Sequence, residues 1–327
     1  MTRITDNIYQ LNIPLPGSPL REIHTYLIKG KKRNLLVDTA FNTDQCETSL
    51  LDQMKALGVS PENTDLFITH MHVDHSGLAA RMKREGNRVY ASEADAELIR
   101  RFQQPEHWDW LKKNNVWCGV PAQYALDPRQ HVAYQKRPQQ QVDFSIVKEG
   151  DVLPYGGYQF KVIDLAGHTP GQVGLWDEQT KILLSGDHIL EKISPNITVW
   201  DRRHNYLKIF CENLIKVKNL KPQLLCSAHG PAIEHINTRI DQLLTHHQER
   251  LNDIEAIVAE RGVPSTAYDV ALRMIWSSGK RFEELPPQQN WFASLETLAH
   301  LLALYEQGRV CVNWNRDTGE FMTVDGR

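Results

Sequence analysis

The sequence predicts an α/β protein: a long first part that alternates strands with helices, then a smaller, mainly helical part. Two observations carry that expectation. Short runs rich in apolar and β-branched residues recur between stretches whose apolar residues fall at helical spacing. Near Ile236 this alternation gives way to helical spacing that runs almost to the end of the chain. A third observation bounds the answer: 327 residues, 41 % hydrophobic and 24 % charged, is globular composition at a length that accommodates two domains.

Taken in order, His24–Gly30 and Arg33–Ala40 read as strands. Thr43–Leu57 reads as a helix, with Leu50, Leu51, Met54 and Leu57 at helical spacing and Gly58 as its stop. Leu66–His70 is an apolar strand, the stretch up to Glu85 a helix, and Asn87–Ser92 another strand. Helical pieces at Asp95–Phe102 and Glu106–Asn114 and a polar, Gln- and Pro-rich stretch at Pro121–Gln141 make residues 93–142 an insertion in the alternation. Strands are expected again at Phe144–Lys148, Tyr158–Leu165, Gly174–Trp176 and Lys181–Ser185, then a helix at Asn205–Leu220 and a strand at Gln223–Ser227. A long helix from Ile236 to Gly262, helices at Thr266–Trp276 and Ser294–Gln307, and a hairpin around Asp317–Thr318–Gly319 close the chain. Helix, helix, helix, hairpin is the order of a winged helix, which sets the expected domains at 1–235 and 236–327.

Charge and cysteine content exclude several function classes. Net charge is −3 with histidine neutral, so no global basic field gathers nucleic acid or anionic lipid. Cys46, Cys118, Cys211, Cys226 and Cys311 are scattered with no CxxC pair, which excludes a thiolate zinc knuckle and a dense disulfide framework. The start of the chain lacks the apolar core of a signal peptide, and nowhere do about 18 apolar residues run together. A cytoplasmic protein without a membrane span is expected.

Fourteen histidines are the unusual feature, and their positions point to a metal. His70-Met71-His72-Val73-Asp74-His75 directly follows the strand Leu66–Thr69, where a loop can aim several side chains at one point. Imidazole and carboxylate together suit zinc, and also iron or manganese. Three more candidates end apolar strands beside glycine: His168 in AGHTPG, Asp187 in SGDH and His229 in SAHGP. The seven together are enough for two metals that share one carboxylate.

In this order, HMHVDH, GHTPG, GD and AHG resemble the metallo-β-lactamase superfamily over about residues 7–233. The resemblance implies a four-layer αββα sandwich, two mixed sheets face to face with helices outside. It implies one metal on His70, His72 and His168, a second on Asp74, His75 and His229, and Asp187 bridging them. Asp38 in LLVDT matches the family's early strand-end aspartate, which orients the ligand loop; a simple strand-end cap explains the residue equally well. Cysteine-ligated β-lactamases lack the Asp187 and His75 found here, and flavodiiron proteins carry glutamate where this chain has His72. The full set looks like glyoxalase II, ribonuclease Z, lactonases and their relatives.

The expected function is a binuclear zinc-dependent hydrolase in which metal-bridged hydroxide attacks a small ester, thioester or lactone, with Asp74 orienting the hydroxide. His188 either faces the substrate as proton donor or is turned away by strand alternation. Trp108, Trp110 and Trp117, beside Phe102 and His107, form either an apolar lid or the contact of the insertion with the core or with a second copy in a homodimer. Arg129, Lys136 and Arg137 either hold an anionic substrate group or are solvated.

The C-terminal part resembles the winged-helix module of the β-lactamase-like protein 2 family, which includes an endoribonuclease, so the first alternative is a metal-dependent endoribonuclease or phosphodiesterase. Residues 236–327 nevertheless carry nine Lys and Arg against thirteen Asp and Glu, net −4, with no Lys or Arg between Arg281 and Arg309. Leu295, Leu298, Leu301 and Leu302 point to packing rather than phosphate contact. Nucleic acid is therefore the less expected partner, a small molecule the more expected one. An iron persulfide dioxygenase and a metal-sensing winged-helix regulator complete the alternatives.

Overall fold

The computed structural model describes residues 1–276 and 279–324; residues 277–278 and 325–327, in the expected C-terminal domain, lie outside the described residues. The first sheet lays seven strands side by side in chain order: β1 (Thr2–Arg3), β2 (Ile8–Pro14), β3 (Glu22–Ile28), β4 (Asn34–Val37), β5 (Thr64–Phe67), β6 (Val89–Ala91) and β7 (Ser145–Ile146). β1 to β4 pair antiparallel and β4 to β7 parallel. The second sheet holds β8 (Val152–Tyr155), β9 (Tyr158–Asp164), β10 (Val173–Asp177), β11 (Ile182–Gly186) and β12 (Leu224–Ser227); its β11–β12 pair is parallel and the others antiparallel.

Residue alternation shows how the layers stack. Leu35 and Val37 of β4, Phe160 and Val162 of β9, and Ile182 and Leu184 of β11 meet in one apolar cluster between the sheets. Their neighbours Leu36, Ile163 and Leu183 face the other way, into the cluster built with the helices. A strand buried on both faces must be apolar at consecutive positions, which is why LLV and ILL read as uninterrupted runs. Helices α1 (Asp44–Ala56), α2 (Val73–Ser76), α3 (Ala79–Met82), α4 (Glu93–Arg101), α5 (Pro105–Cys118), α6 (Val132–Lys136) and α7 (Tyr206–Leu220) complete the mixed α/β sandwich.

Several element expectations need correction. β2 and β8 were not expected. Pro154 argues against β8 in sequence, yet β8 is an edge strand, where a missing N–H is tolerated. The helix expected up to Glu85 splits into α2 and α3. At Gly77, between them, a Cβ would lie 2.4 Å from the Val73 carbonyl oxygen and 2.6 Å from that of Ala40.

Beyond β12 come α8 (Ile236–Arg261), α9 (Ala267–Ala271), α10 (Pro287–Glu306) and the hairpin β13 (Val310–Asn315)–β14 (Thr318–Thr323). α9 stops short of the expected Trp276, and α10 starts earlier than Ser294, with proline as its first residue. The hairpin turn is Arg316–Asp317, at φ 46° and 74°, one to two residues before the centre of the expected Asp317–Thr318–Gly319. Both central residues take the left-handed conformation of a tight two-residue turn. Ser265, between α8 and α9, pairs with Phe321 of β14. α10 is buried on most of its circumference, including Trp291, Leu295, Thr297, Leu298, Ala299, His300 and Leu301, and packs against α5, α7, α8 and α9. No helix among the described residues is long and apolar enough to cross a membrane.

Candidate metal centre

Four strand ends deliver the seven candidate ligands to one place. The loop after β5 brings His70, His72, Asp74 and His75; those after β9, β11 and β12 bring His168, Asp187 and His229. Three groups of donor atoms result: His70, His72 and His168; His70, His75 and Asp187; and Asp74, His75 and His229, each with its donors within 4.8 Å of one another. His72 Nδ1 lies 3.1 Å from both His70 Nε2 and His168 Nε2. Tetrahedral coordination at a Zn–N distance of about 2.1 Å places donors roughly 3.4 Å apart, so this spacing suits a small cation. Asp187 sits between the groups, with Oδ2 3.5 Å from His75 Nε2 and 3.9 Å from His168 Nε2, and Oδ1 3.6 Å from His229 Nε2.

The outer nitrogens are committed elsewhere, which fixes the tautomers. His75 Nδ1 donates to Asp38 Oδ2 at 2.8 Å, His168 Nδ1 to the Asn196 carbonyl at 2.7 Å, and His229 Nδ1 to the Glu22 carbonyl at 2.9 Å. The Thr69 hydroxyl donates to Asp38 and accepts from His70 Nδ1 at 3.1 Å. What remains is orphaned: His75 Nε2, His229 Nε2 and Asp187 Oδ1 are buried without a hydrogen-bond partner. Each buried polar atom left so costs about 1–3 kcal/mol, and three in one spot fit a cation that satisfies them together.

Electrostatics agree with that chemistry at His70, His72, His168 and Asp187. Burial and the neighbouring His168 pull His72 down to about 3, and burial lowers His70 and His168, so these imidazoles are neutral with free lone pairs. Burial would lift Asp187, but His229 and His75 outweigh it and hold the carboxylate well below its usual range. For His75, burial is outweighed by Asp38, Asp187 and Asp74, which hold it well above 6.5.

Asp38 adopts φ 62°, an uncommon conformation outside glycine, at the end of β4. That backbone lets one carboxylate accept from the Thr69 N–H at 2.8 Å and from His75. Asp95, near the start of α4, was not singled out from sequence. Its Oδ2 accepts from the Met71 N–H at 2.9 Å and the Thr169 hydroxyl at 2.6 Å, and its Oδ1 from the Gly171 N–H at 2.8 Å. One buried carboxylate therefore ties the loop of His70 and His72 to the loop of His168. At Gly171 a Cβ would meet Ser92 Oγ at 2.3 Å, so only glycine lets the loops approach this closely.

His188 does not join the group. It is fully buried, its ring 5.0 Å from Phe210 of α7, and neither ring nitrogen has a partner. Packed against α7 with no exposed atom, His188 does not face a substrate as the proton donor expected of it.

The tryptophans divide their work. Trp108 is buried beside Phe102 and carries the Arg137 guanidinium on its face. Trp117 and Trp314 flank Arg202, tying the insertion to the C-terminal hairpin. Trp110 stacks flat on Trp200, with centroids 4.9 Å apart and planes within 7°, and Trp200 lies 6.4 Å from His72. Trp200, absent from the sequence reading, is thus the aromatic residue nearest the centre among these. Arg129 is paired with Asp127, and Arg137 lies over Tyr134 as well as Trp108, so neither is a free anion receptor.

His131 caps α6 through Nδ1 and is held down to about 4 by burial. Its ring stays neutral in the folded protein, whereas in the unfolded chain it binds a proton below 6.5. This contribution is complete above about pH 6.5 and is lost as pH falls toward 4. By pH 5 about 2 kcal/mol of it is lost. His131→Asn keeps a capping acceptor and should flatten the stability difference between pH 7 and pH 5 by about that amount in urea unfolding.

The metallo-beta-lactamase superfamily profile matches residues 19–229. The chain belongs to the metallo-beta-lactamase superfamily. Across its length it is similar to "Probable metallo-hydrolase YqjP" of Bacillus subtilis, with 23 % identity covering 98 % of this chain and 99 % of that protein. It is 27 % identical to the human "Acyl-coenzyme A thioesterase MBLAC2" over 59 % of this chain and 67 % of that protein. Among solved structures, a metallo-beta-lactamase family protein from Thermus thermophilus superposes with a TM-score of 0.81 at 28 % identity, covering 98 % of this chain and 100 % of that one. Superfamily membership and the His/Asp clusters identify a metal-dependent hydrolase.

Proposed function

We propose that this metallo-beta-lactamase superfamily hydrolase is a binuclear zinc enzyme that cleaves a small acyl substrate, a thioester in first place and an ester or lactone otherwise. The observation that carries the reading is the convergence of His70, His72, Asp74, His75, His168, Asp187 and His229 with orphaned buried donor atoms between them. His70, His72 and His168 would hold one ion, Asp74, His75 and His229 the other, with Asp187 shared. When bound, such ions acidify a water and polarise an acyl carbonyl.

The chain's own groups supply the rest. Asp74 is held at about 2, because His75 and His229 outweigh its burial, so its carboxylate stays ionised and can accept a hydrogen bond from the attacking water and orient it. Trp200, backed by Trp110, offers an apolar wall for the acyl group. The thioester preference is supported by that wall and by the name of the MBLAC2 relative. α10, which takes the place of the winged helix's reading helix in the element order, is largely buried and without lysine or arginine, which argues against nucleic acid as substrate. The winged-helix description of residues 236–327 rests on element order and on the Ser265–Phe321 pairing.

Metal analysis should return about two zinc per chain, and a thioester should be turned over in preference to bis-p-nitrophenyl phosphate. One iron per chain would move the reading to the dioxygenase. Efficient phosphodiester cleavage with every acyl substrate inert would move it to the phosphodiesterase. Trp200→Ala should retain both metals and lose about tenfold in kcat/KM, the loss of roughly 1.4 kcal/mol of apolar contact. An unchanged kcat/KM would remove Trp200 from the substrate wall.

A further inference from the structure

The C-terminal helices reach the candidate metal centre through a partly buried polar chain. His168 Nδ1 donates to the Asn196 carbonyl at 2.7 Å. The Asn196 side chain is clamped from both ends: Nδ2 donates to Glu296 Oε2 of α10 at 2.9 Å, and Oδ1 accepts from the Thr198 hydroxyl at 2.7 Å. Asn196 sits in the segment between β11 and α7, which contains no helix or strand, so nothing regular holds its carbonyl in place. The Glu296 backbone is itself fixed, because His300 Nδ1 donates to its carbonyl at 2.7 Å and His247 of α8 donates to His300 Nε2 at 3.2 Å. His247 and His300 are buried.

We propose that Glu296 is a positioning residue for the metal centre, acting through Asn196 to aim His168, so that the C-terminal region is a working part of the hydrolase rather than a separable recognition module. The physical reason is the tautomer. A metal needs the lone pair of His168 Nε2, which requires the proton on Nδ1 and an acceptor held in line with it. A carbonyl on an irregular segment provides that only while its own side chain is anchored. Glu296 supplies the anchor from a helix packed into the core.

This inference rests on His168 being a ligand, and the test separates the two. Metal-free protein is titrated with zinc against a chromophoric chelator, and two dissociation constants are read. Asn196→Asp preserves shape and the acceptor for Thr198 but sets a carboxylate against Glu296; it should weaken one site about 10–100-fold. Adding Glu296→Gln supplies a donor to that carboxylate, reverses the pair, and should restore affinity to within about threefold of the parent. Glu296→Gln alone still accepts from Asn196 and should bind zinc within the same limit. A merely structural role predicts no such rescue. Unchanged constants in Asn196→Asp, or a double variant no better than the single one, would overturn the proposal. His168→Ala is the control: retention of both metals there would overturn the ligand assignment itself.

Discussion

Asp187→Ala is expected to lower both metal content and hydrolysis by more than about 1,000-fold in kcat/KM, beyond the roughly 10–100-fold that removing an outer partner costs. The reason is its position. Its two oxygens face different histidines, Oδ2 toward His75 and His168 and Oδ1 toward His229, so Asp74, which faces His229, cannot take over the bridging place proposed for Asp187. The fold should survive, since β11, which Asp187 follows, is held by β10 on one side, β12 on the other and the apolar cluster between the sheets. Circular dichroism, zinc content and turnover measured together check this. Full activity, or an unfolded chain, would refute the role given to Asp187.

Asp95→Ala should act on stability and on the centre at once. The substitution strands the Met71 and Gly171 N–H groups and the Thr169 hydroxyl, all in buried surroundings. At about 1–3 kcal/mol for each unsatisfied donor, partly offset by removing a carboxylate that burial lifts to about 6, a loss of about 3–5 kcal/mol is expected. Because Met71 lies between His70 and His72, and Thr169 follows His168, kcat/KM should also fall about 10–100-fold. Urea unfolding and zinc titration of the same variant separate the effects. Lost stability with unchanged zinc affinity would show that Asp95 holds the fold but not the ligand loops.

The candidate ligands were legible because each combines a chemically conspicuous side chain with a strand end and, for His168, Asp187 and His229, a neighbouring glycine. Their partners were not. Trp200, Asn196, Asp95 and Glu296 are ordinary residue types in ordinary local patterns, and each reaches the centre only because distant segments are folded beside it. His188 shows the opposite failure. It stands next to Asp187 in sequence, but Gly186, at φ 54°, ends the strand with a left-handed residue and breaks the alternation that would have given its direction. Sequence supplies a residue's chemistry at such a point, not its orientation.

β8 and the hairpin turn teach the same lesson at the level of elements. Pro154 is acceptable only because β8 has a free edge, and the turn falls on Arg316–Asp317 because cross-strand pairing, not glycine placement, sets the register. From sequence alone come the α/β class, the metal-ligand chemistry and the poverty of basic charge around α10, since these depend on residue type and period. Tertiary structure alone decided which nitrogen of each histidine is free, which tryptophan faces the centre, and that α10 is joined to it. Those are matters of direction and distance between segments far apart in the chain, which no local pattern encodes.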